Sequence, residues 1–228
     1  MNTCSLLQGF RYVDTFFPSG GFAYSSGLET AVQEGNVQTS EDLNRYVADY
    51  LWWGMGKCEA VALAQAHHAS TMGNLDGVLK ADTTLESMKL CRETRAASRQ
   101  MGRSLFQNAA PPHDTQGILA AFREAIDAGH SPGHLAVVLG VMFQGVGWSQ
   151  QQAIAGFLYQ AGVGFVSASY KLLPIGQREG QRLLEKWTPL MVELSQTIDV
   201  HTPMMSWAPI QEIYAMRHSQ LTTRMFRS

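Results

Sequence analysis

The sequence predicts an all-α protein, a single-domain helical bundle of roughly eight to ten helices with a loosely structured C-terminal tail. Three observations support this. Apolar residues recur at helical spacing, capping residues and prolines mark where helices begin and end, and no stretch alternates with period two between hairpin turns. The chain has 228 residues, enough to bury a sizeable core, and no linker-like stretch divides it. We therefore expect one domain spanning residues 1–228.

The first long helix is predicted between residue 39 or 40 and about residue 66. Thr39 or Ser40 can cap it, and the two acidic residues that follow suit the positive end of its dipole. Gly54 and Gly56 weaken its middle, so we expect a bend there.

A strong amphipathic helix is predicted from about residue 84 to residue 109, ended by Pro111-Pro112. Its apolar face is set by residues spaced three or four apart, namely Leu90, Thr94, Ala97, Met101 and Leu105. Four arginines lie on the opposite side: Arg92, Arg95, Arg99 and Arg103. They form either a basic ridge for the carboxylates of a partner or a solvated face paired internally with Glu93 or other acids.

The second half of the chain is predicted to hold four helices. Capping and breaking signals place them at residues 117–127, 131–146 and 149–172 and from about 177 onward. Gly129 is expected near the end of the first. Ser131-Pro132 is expected to start the second, and Pro189 to kink or restart the fourth.

The helix ending at Leu172 is apolar nearly all round, which fits either a membrane span or the centre of a bundle. Its polar residues favour the bundle, and Gly156, Gly164 and Ala168 would let neighbouring helices approach closely. Lys171 lies at its C-terminal end, where a cation suits the helix dipole or could contact a partner.

Composition narrows the function. Charged residues make up only 16% of the chain, against roughly 25% in typical domains, which suggests either a surface covered by other chains or a rather neutral monomer. The net charge of -2 offers no footprint for nucleic acid or anionic membranes. Three widely spaced cysteines and an N-terminus unlike a signal peptide predict a cytoplasmic protein.

No motif predicts catalysis or a tightly bound cofactor. The Gly20-Gly21 pair lacks the lysine of a phosphate loop, and no GxSxG occurs. His67 and His68 diverge on a helix, and Pro132 separates His130 from His134, so we expect no preformed metal site. We therefore do not expect an enzyme.

The two ends of the chain are unusual. An N-terminal motif (residues 14–30) combines glycines with aromatic residues, and we expect its last part, with Leu28 and Val32 packed inward, to be helical. The C-terminal tail (about residues 201–228) alternates charged and large apolar residues, as in segments that dock or that order on binding.

Four stretches together resemble the urease accessory protein F family. They are FPSGGFAYSSGLE at 17–29, ETRAASRQMGR at 93–103, LLPIGQ at 172–177 with Gln181 and Leu183, and MRH at 216–218 followed by RMFRS at 224–228. They occur in the expected order and span nearly the whole chain.

The resemblance implies an all-helical, dimeric scaffold without catalysis of its own. It would bridge an accessory protein of the D or H type and a GTPase of the G type, dock on apo-urease, and help to deliver nickel as cargo. It marks these residues as candidates for partner binding: Tyr24, Glu29, Arg95, Arg99, Lys171, Arg217, His218, Arg224, Phe226 and Arg227. The alternative is a nickel carrier that binds Ni²⁺ through its own His and Met residues.

Overall fold

The structure, a computed structural model, describes residues 2–109 and 117–227. Over these residues the chain is helical with no β-strand, which confirms the predicted all-α class. The sequence signals at 111–116 lie outside the described residues.

The helices of the first half run along the chain as follows: α1 Thr3–Val13, α2 Leu28–Gln33, α3 Ser40–Asp49, α4 Ala60–Thr71, α5 Leu75–Met88 and α6 Arg92–Ala109. Those of the second half are α7 Ile118–Asp127, α8 Leu135–Gly145, α9 Gln150–Leu172, α10 Gln177–Thr197 and α11 Pro209–Arg217. Short 3-10 turns occupy Gly21–Ala23 and His218–Gln220.

Helices α4, α8 and α9 form the centre of the core. Helix α4 packs on α5, α8 and α9, and α10 covers the other side of α9. The contact between α4 and α8 depends on Gly140, since a Cβ there would lie 2.6 Å from the Leu63 carbonyl oxygen. No helix within the described ranges combines the length and hydropathy that a membrane crossing needs.

The predicted bend at Gly54 and Gly56 is a π-helical stretch, Tyr50–Glu59, which joins α3 to α4. Because the wider turn disturbs the ordinary hydrogen-bond ladder, this segment uses tertiary partners. The carbonyl oxygens of Trp53 and Lys57 accept from the backbone N–H groups of Trp207 and Met205, at 3.2 and 2.9 Å. The π-helical stretch therefore anchors the chain that leads into α11.

The helix predicted from residue 84 to 109 is wrong as a single element. The chain breaks between α5 and α6, and Leu90, predicted inward, is 65% exposed in this break. Helix α1, and α5 before residue 84, had no counterpart in the sequence prediction. Lys89 explains the break, because its ammonium is drawn inward to Glu59 at 2.6 Å.

The start of α8 is also corrected, from Ser131 to Leu135. Ser131 does not cap the helix; its Oγ donates to buried Asp82 at 2.6 Å. The N–H groups of Gly133 and His134 donate to the same carboxylate at 2.7 and 2.9 Å. We call this arrangement the Asp82 cap. A carboxylate on α5 thus holds residues 131–134 outside the helix, which begins at Leu135.

Other local predictions are confirmed. Ser149 and Gln152 form the capping box of α9, and α9 ends at Leu172. Gly129 follows α7 with a φ of +76°. At Pro189 the predicted restart is wrong, because α10 runs unbroken through it from Gln177 to Thr197. The prediction that Gly164 lets a neighbouring helix approach closely is wrong. A Cβ there would meet nothing within 4 Å.

Candidate partner-binding surface

The end of the C-terminal tail is fixed to the N-terminal motif by one carboxylate. Glu29, in the first turn of α2, is fully buried. It accepts from His218 Nε2 at 2.8 Å and from the N–H groups of Met225 and Phe226 at 2.6 and 3.1 Å. A buried carboxylate needs such donors to replace water. Residues almost two hundred positions apart therefore meet.

Gly27 brings the two segments close enough for this contact. Its φ of +83° turns the chain into α2, a conformation that L side chains rarely adopt. A Cβ there would also lie 2.9 Å from the backbone of α11, at Ala215 N and Gln211 O. The glycine lets α11 pack directly on the start of α2.

Lys171 joins the same cluster from the end of α9. Its Nζ lies 5.2 Å from the centroid of the Phe226 ring, a cation–π distance, and the Phe226 side chain is buried. Arg227 N–H donates to Ala23 O at 2.8 Å. We call Glu29, Lys171, His218, Met225 and Phe226 the junction.

The remaining tail candidates lie around the junction. Arg217 pairs with Glu34 of the chain just after α2 at 3.1 Å. Arg224 and Arg227 are exposed. Tyr24, at the other edge, donates its hydroxyl to Gln100 on α6 at 2.8 Å. Glu29 and His218 are fully buried and hold the tail, whereas Arg217, Arg224, Arg227 and Lys171 present side chains to solvent.

Arg95 and Arg99 are engaged internally. Both pair with Glu86 on α5, Arg95 through Nε at 3.5 Å and Arg99 through Nε at 2.8 Å. For these two, the interpretation of internal pairs holds, with Glu86 rather than Glu93 as the acid. Burial alone would raise the pKa of Glu86, but the hydrogen bonds from Arg99 and His134 outweigh it and lower that pKa.

The interior carries polar groups that sequence reasoning missed. Lys89 and Glu59 form a buried ion pair between the α5–α6 break and the π-helical stretch. Burial would lower the pKa of Lys89, but the Glu59 carboxylate outweighs it and raises that pKa. The signal available in the sequence was a lysine flanked by Met88, Leu90 and Cys91.

Cys58 and His67, two residues considered for reactivity or metal binding, are both buried. Burial raises the pKa of the Cys58 thiol to about 12, so it is protonated near neutral pH and a poor nucleophile. His67 Nε2 is bonded to Trp148 O at 2.8 Å. Among the described residues, no group of three or more His, Cys, Asp or Glu side chains is placed to hold a metal ion.

Apolar side chains are exposed near both ends of the chain. In the N-terminal motif, Phe16 and Phe22 are 93% and 71% exposed. A second group surrounds the start of α11: Trp53, Met205, Trp207, Ile210 and Ile213. Such groups are common where a protein binds other chains.

The fold and the junction define an all-helical protein whose N-terminal motif, α9 end and C-terminal tail form one continuous surface. The model of the UreF family matches residues 37–188. The urease accessory protein UreF of Actinobacillus pleuropneumoniae serotype 5b is 30% identical, over 95% of this chain and 96% of its own. Its counterpart in Haemophilus influenzae is also 30% identical, over 95% and 92%, and that of Bacillus sp. strain TB-90 is 28% identical, over 98% and 99%. The chain belongs to the UreF family of urease accessory proteins.

Proposed function

We propose that this protein is a cytoplasmic assembly scaffold for nickel insertion into urease. It bridges an accessory protein of the D or H type and a GTPase of the G type, as a dimer that docks on apo-urease. Toward the GTPase it also acts as a regulator of GTP hydrolysis. Nickel is cargo of this complex, and the chain itself holds no tight cofactor.

The junction is the observation that carries this proposal. Two of the four stretches that carry the family resemblance meet there, together with Lys171, which directly precedes a third stretch, although the chain separates them widely. Within the junction, the buried Glu29 carboxylate accepts its hydrogen bonds from the tail, and the outer groups are cations and apolar side chains. That combination suits recognition of another protein surface with acidic and apolar groups.

The test is co-expression with the D-type and G-type proteins. Size-exclusion chromatography with light scattering should show this chain dimeric and in one complex with both, and metal analysis should find nickel dependent on the complete complex. The isolated chain should hydrolyse no GTP. A chain that stays monomeric and alone beside both partners would overturn the proposal.

The nickel-carrier alternative has a separate test. Equilibrium dialysis of the isolated chain should show only weak Ni²⁺ binding. Tight stoichiometric binding would favour the carrier instead.

A further inference from the structure

A pocket of about 150 Å³ lies between the N-terminal motif and α9. Its lining is more apolar than polar: serine, threonine and glutamine side chains contribute, but the largest groups are four aromatic rings and two thioethers, from Phe22, Tyr24, Phe157, Phe165, Met55 and Met101. It does not include the junction residues, and the proposed function does not use it.

We propose that this pocket receives a single aromatic ring carried on the side chain of a partner protein. The inference rests on the proposed function, because it specifies how one of those partners docks. The pocket would give the proposed partner-binding surface a recess of defined size and chemistry.

Size and lining both indicate a ring. A cavity of about 150 Å³ lined by apolar side chains is large enough for benzene. Ring edges and methionine sulfurs make favourable contacts with an aromatic guest. Within the described chain, Asp14 is the one charged residue that lines the pocket, so a neutral guest fits better than an ionic one.

The surroundings indicate that the ring belongs to a protein. Pockets for free ligands are usually about 300–1,000 Å³ and enclose most of the ligand. This pocket is smaller and opens beside Phe22, and Phe16, also strongly exposed, follows the lining residue Thr15. A ring-sized recess inside an exposed apolar rim is the arrangement in which one aromatic anchor dominates a protein interface.

Gly164 offers a way to fill the pocket without disturbing the fold. It lies within α9 and lines the pocket, and a Cβ there would meet nothing within 4 Å. Leucine favours a helix more than glycine does, so Gly164→Leu should fold well. Gly145→Leu is the matched control, because Gly145 is an exposed residue in α8 with equally open surroundings and does not line the pocket.

The first experiment probes the pocket directly with phenol. In full-length protein with labelled methionine methyl groups, phenol should give saturable shifts at Met55 and Met101. The shifts should persist in Gly145→Leu and disappear in Gly164→Leu, with both variants unfolding near the wild-type temperature. Absence of saturable shifts at both methionines in wild type would overturn the inference.

The second experiment measures affinity for the purified D-type and G-type proteins. Gly164→Leu should weaken binding of one of them about thirtyfold, the loss expected for an interface anchor, while Gly145→Leu changes it less than twofold. If phenol binds but Gly164→Leu leaves both partners unaffected, the site serves a free ligand, and the inference fails while the proposed function stands. If wild type binds neither partner, the proposed function fails as well.

Discussion

The junction and the Asp82 cap solve one physical problem in two places. Each centres on a fully buried carboxylate that accepts three hydrogen bonds from distant parts of the chain. The donors to Asp82 lie in a loop held at both ends by α7 and α8. Two of the donors to Glu29, the N–H groups of Met225 and Phe226, lie beyond α11 and the 3-10 turn, in a segment without a described helix of its own.

This difference in anchoring has an energetic consequence. Loss of the Asp82 cap would loosen α5 from the start of α8, inside the core. Loss of the Glu29 contacts would release the segment after His218 and leave the bundle in place, because that segment is mostly exposed and such segments open at low free energy. In addition, His218 Nδ1 is buried without a hydrogen-bond partner in the described part of the chain, which weakens the junction further. We therefore expect the tail to open at a lower free energy than the core.

The largest effect is expected for Asp82→Asn. The amide keeps the shape of the carboxylate but turns an NH₂ group toward N–H donors, so buried groups lose their partners. We expect the free energy of unfolding to fall by about 3 kcal/mol. Urea denaturation measures this.

The control is Asp76→Asn, an exposed residue on the same helix, which should stay within about 0.5 kcal/mol of wild type. If both variants lose the same free energy of unfolding, the Asp82 cap contributes no more to stability than an exposed aspartate does.

Deletion of residues 217–228 comes next. It removes the buried Phe226 ring and the donors to Glu29, and we expect a loss of about 2 kcal/mol in unfolding free energy, with helix content by circular dichroism nearly constant. The same deletion should weaken binding of the D-type protein in a pull-down. Retained binding at wild-type level would contradict a role of the tail in docking.

Two point variants at neighbouring positions separate the contributions of single side chains that this deletion removes together. Phe226→Ala removes a buried ring, whereas Met225→Ala removes a side chain that is 60% exposed. The first should reproduce most of the lost stability, and the second little of it. If the D-type protein nevertheless responds to Met225→Ala, the exposed side chain is the one that contacts it.

Glu29→Gln distinguishes the two carboxylates most sharply. The free energy of global unfolding should fall by only about 1 kcal/mol, because the bundle does not depend on the tail. The backbone amides of Met225 and Phe226 should nevertheless exchange with solvent much faster. Glu34→Gln, at the exposed pair with Arg217, is the control and should leave both amides protected. If Glu29→Gln and Asp82→Asn lowered the free energy of unfolding equally, the two carboxylates would be equally important for the core, contrary to our expectation.

The sequence was informative where structure is local. Helical spacing, the capping box at Ser149 and the glycines at 54 and 56 predicted α9 and the distorted helix correctly, because their causes lie within a few residues. Ser131 failed for the opposite reason. It has the chemistry of a helix cap, but a carboxylate on another helix binds it more favourably than its own chain does.

The site was less predictable than the fold for a similar reason. The resemblance directed attention to both chain ends, but spacing alone could not show that Glu29 and Phe226 touch, since nearly the whole chain separates them. Nor could it show that Arg99 is hydrogen-bonded to Glu86 within the protein while Lys171 is exposed. A charged residue near a helix end gives the same sequence signal whether its partner belongs to the same molecule or to another one.

The smallest structural effect and the clearest functional one are expected for Lys171→Ala. An exposed cation–π contact contributes on the order of 0.5 kcal/mol, so the thermal unfolding temperature should hardly change. Urease activation in cells that express the variant should nevertheless fall, because the proposed function makes the ammonium beside Phe226 part of the surface that partners bind. Lys171→Arg keeps a cation over the ring; it should retain activation if charge over the junction is what matters, and lose it if the partner needs an ammonium. Full activation by Lys171→Ala would show that the junction's outer face does no more than hold its own tail.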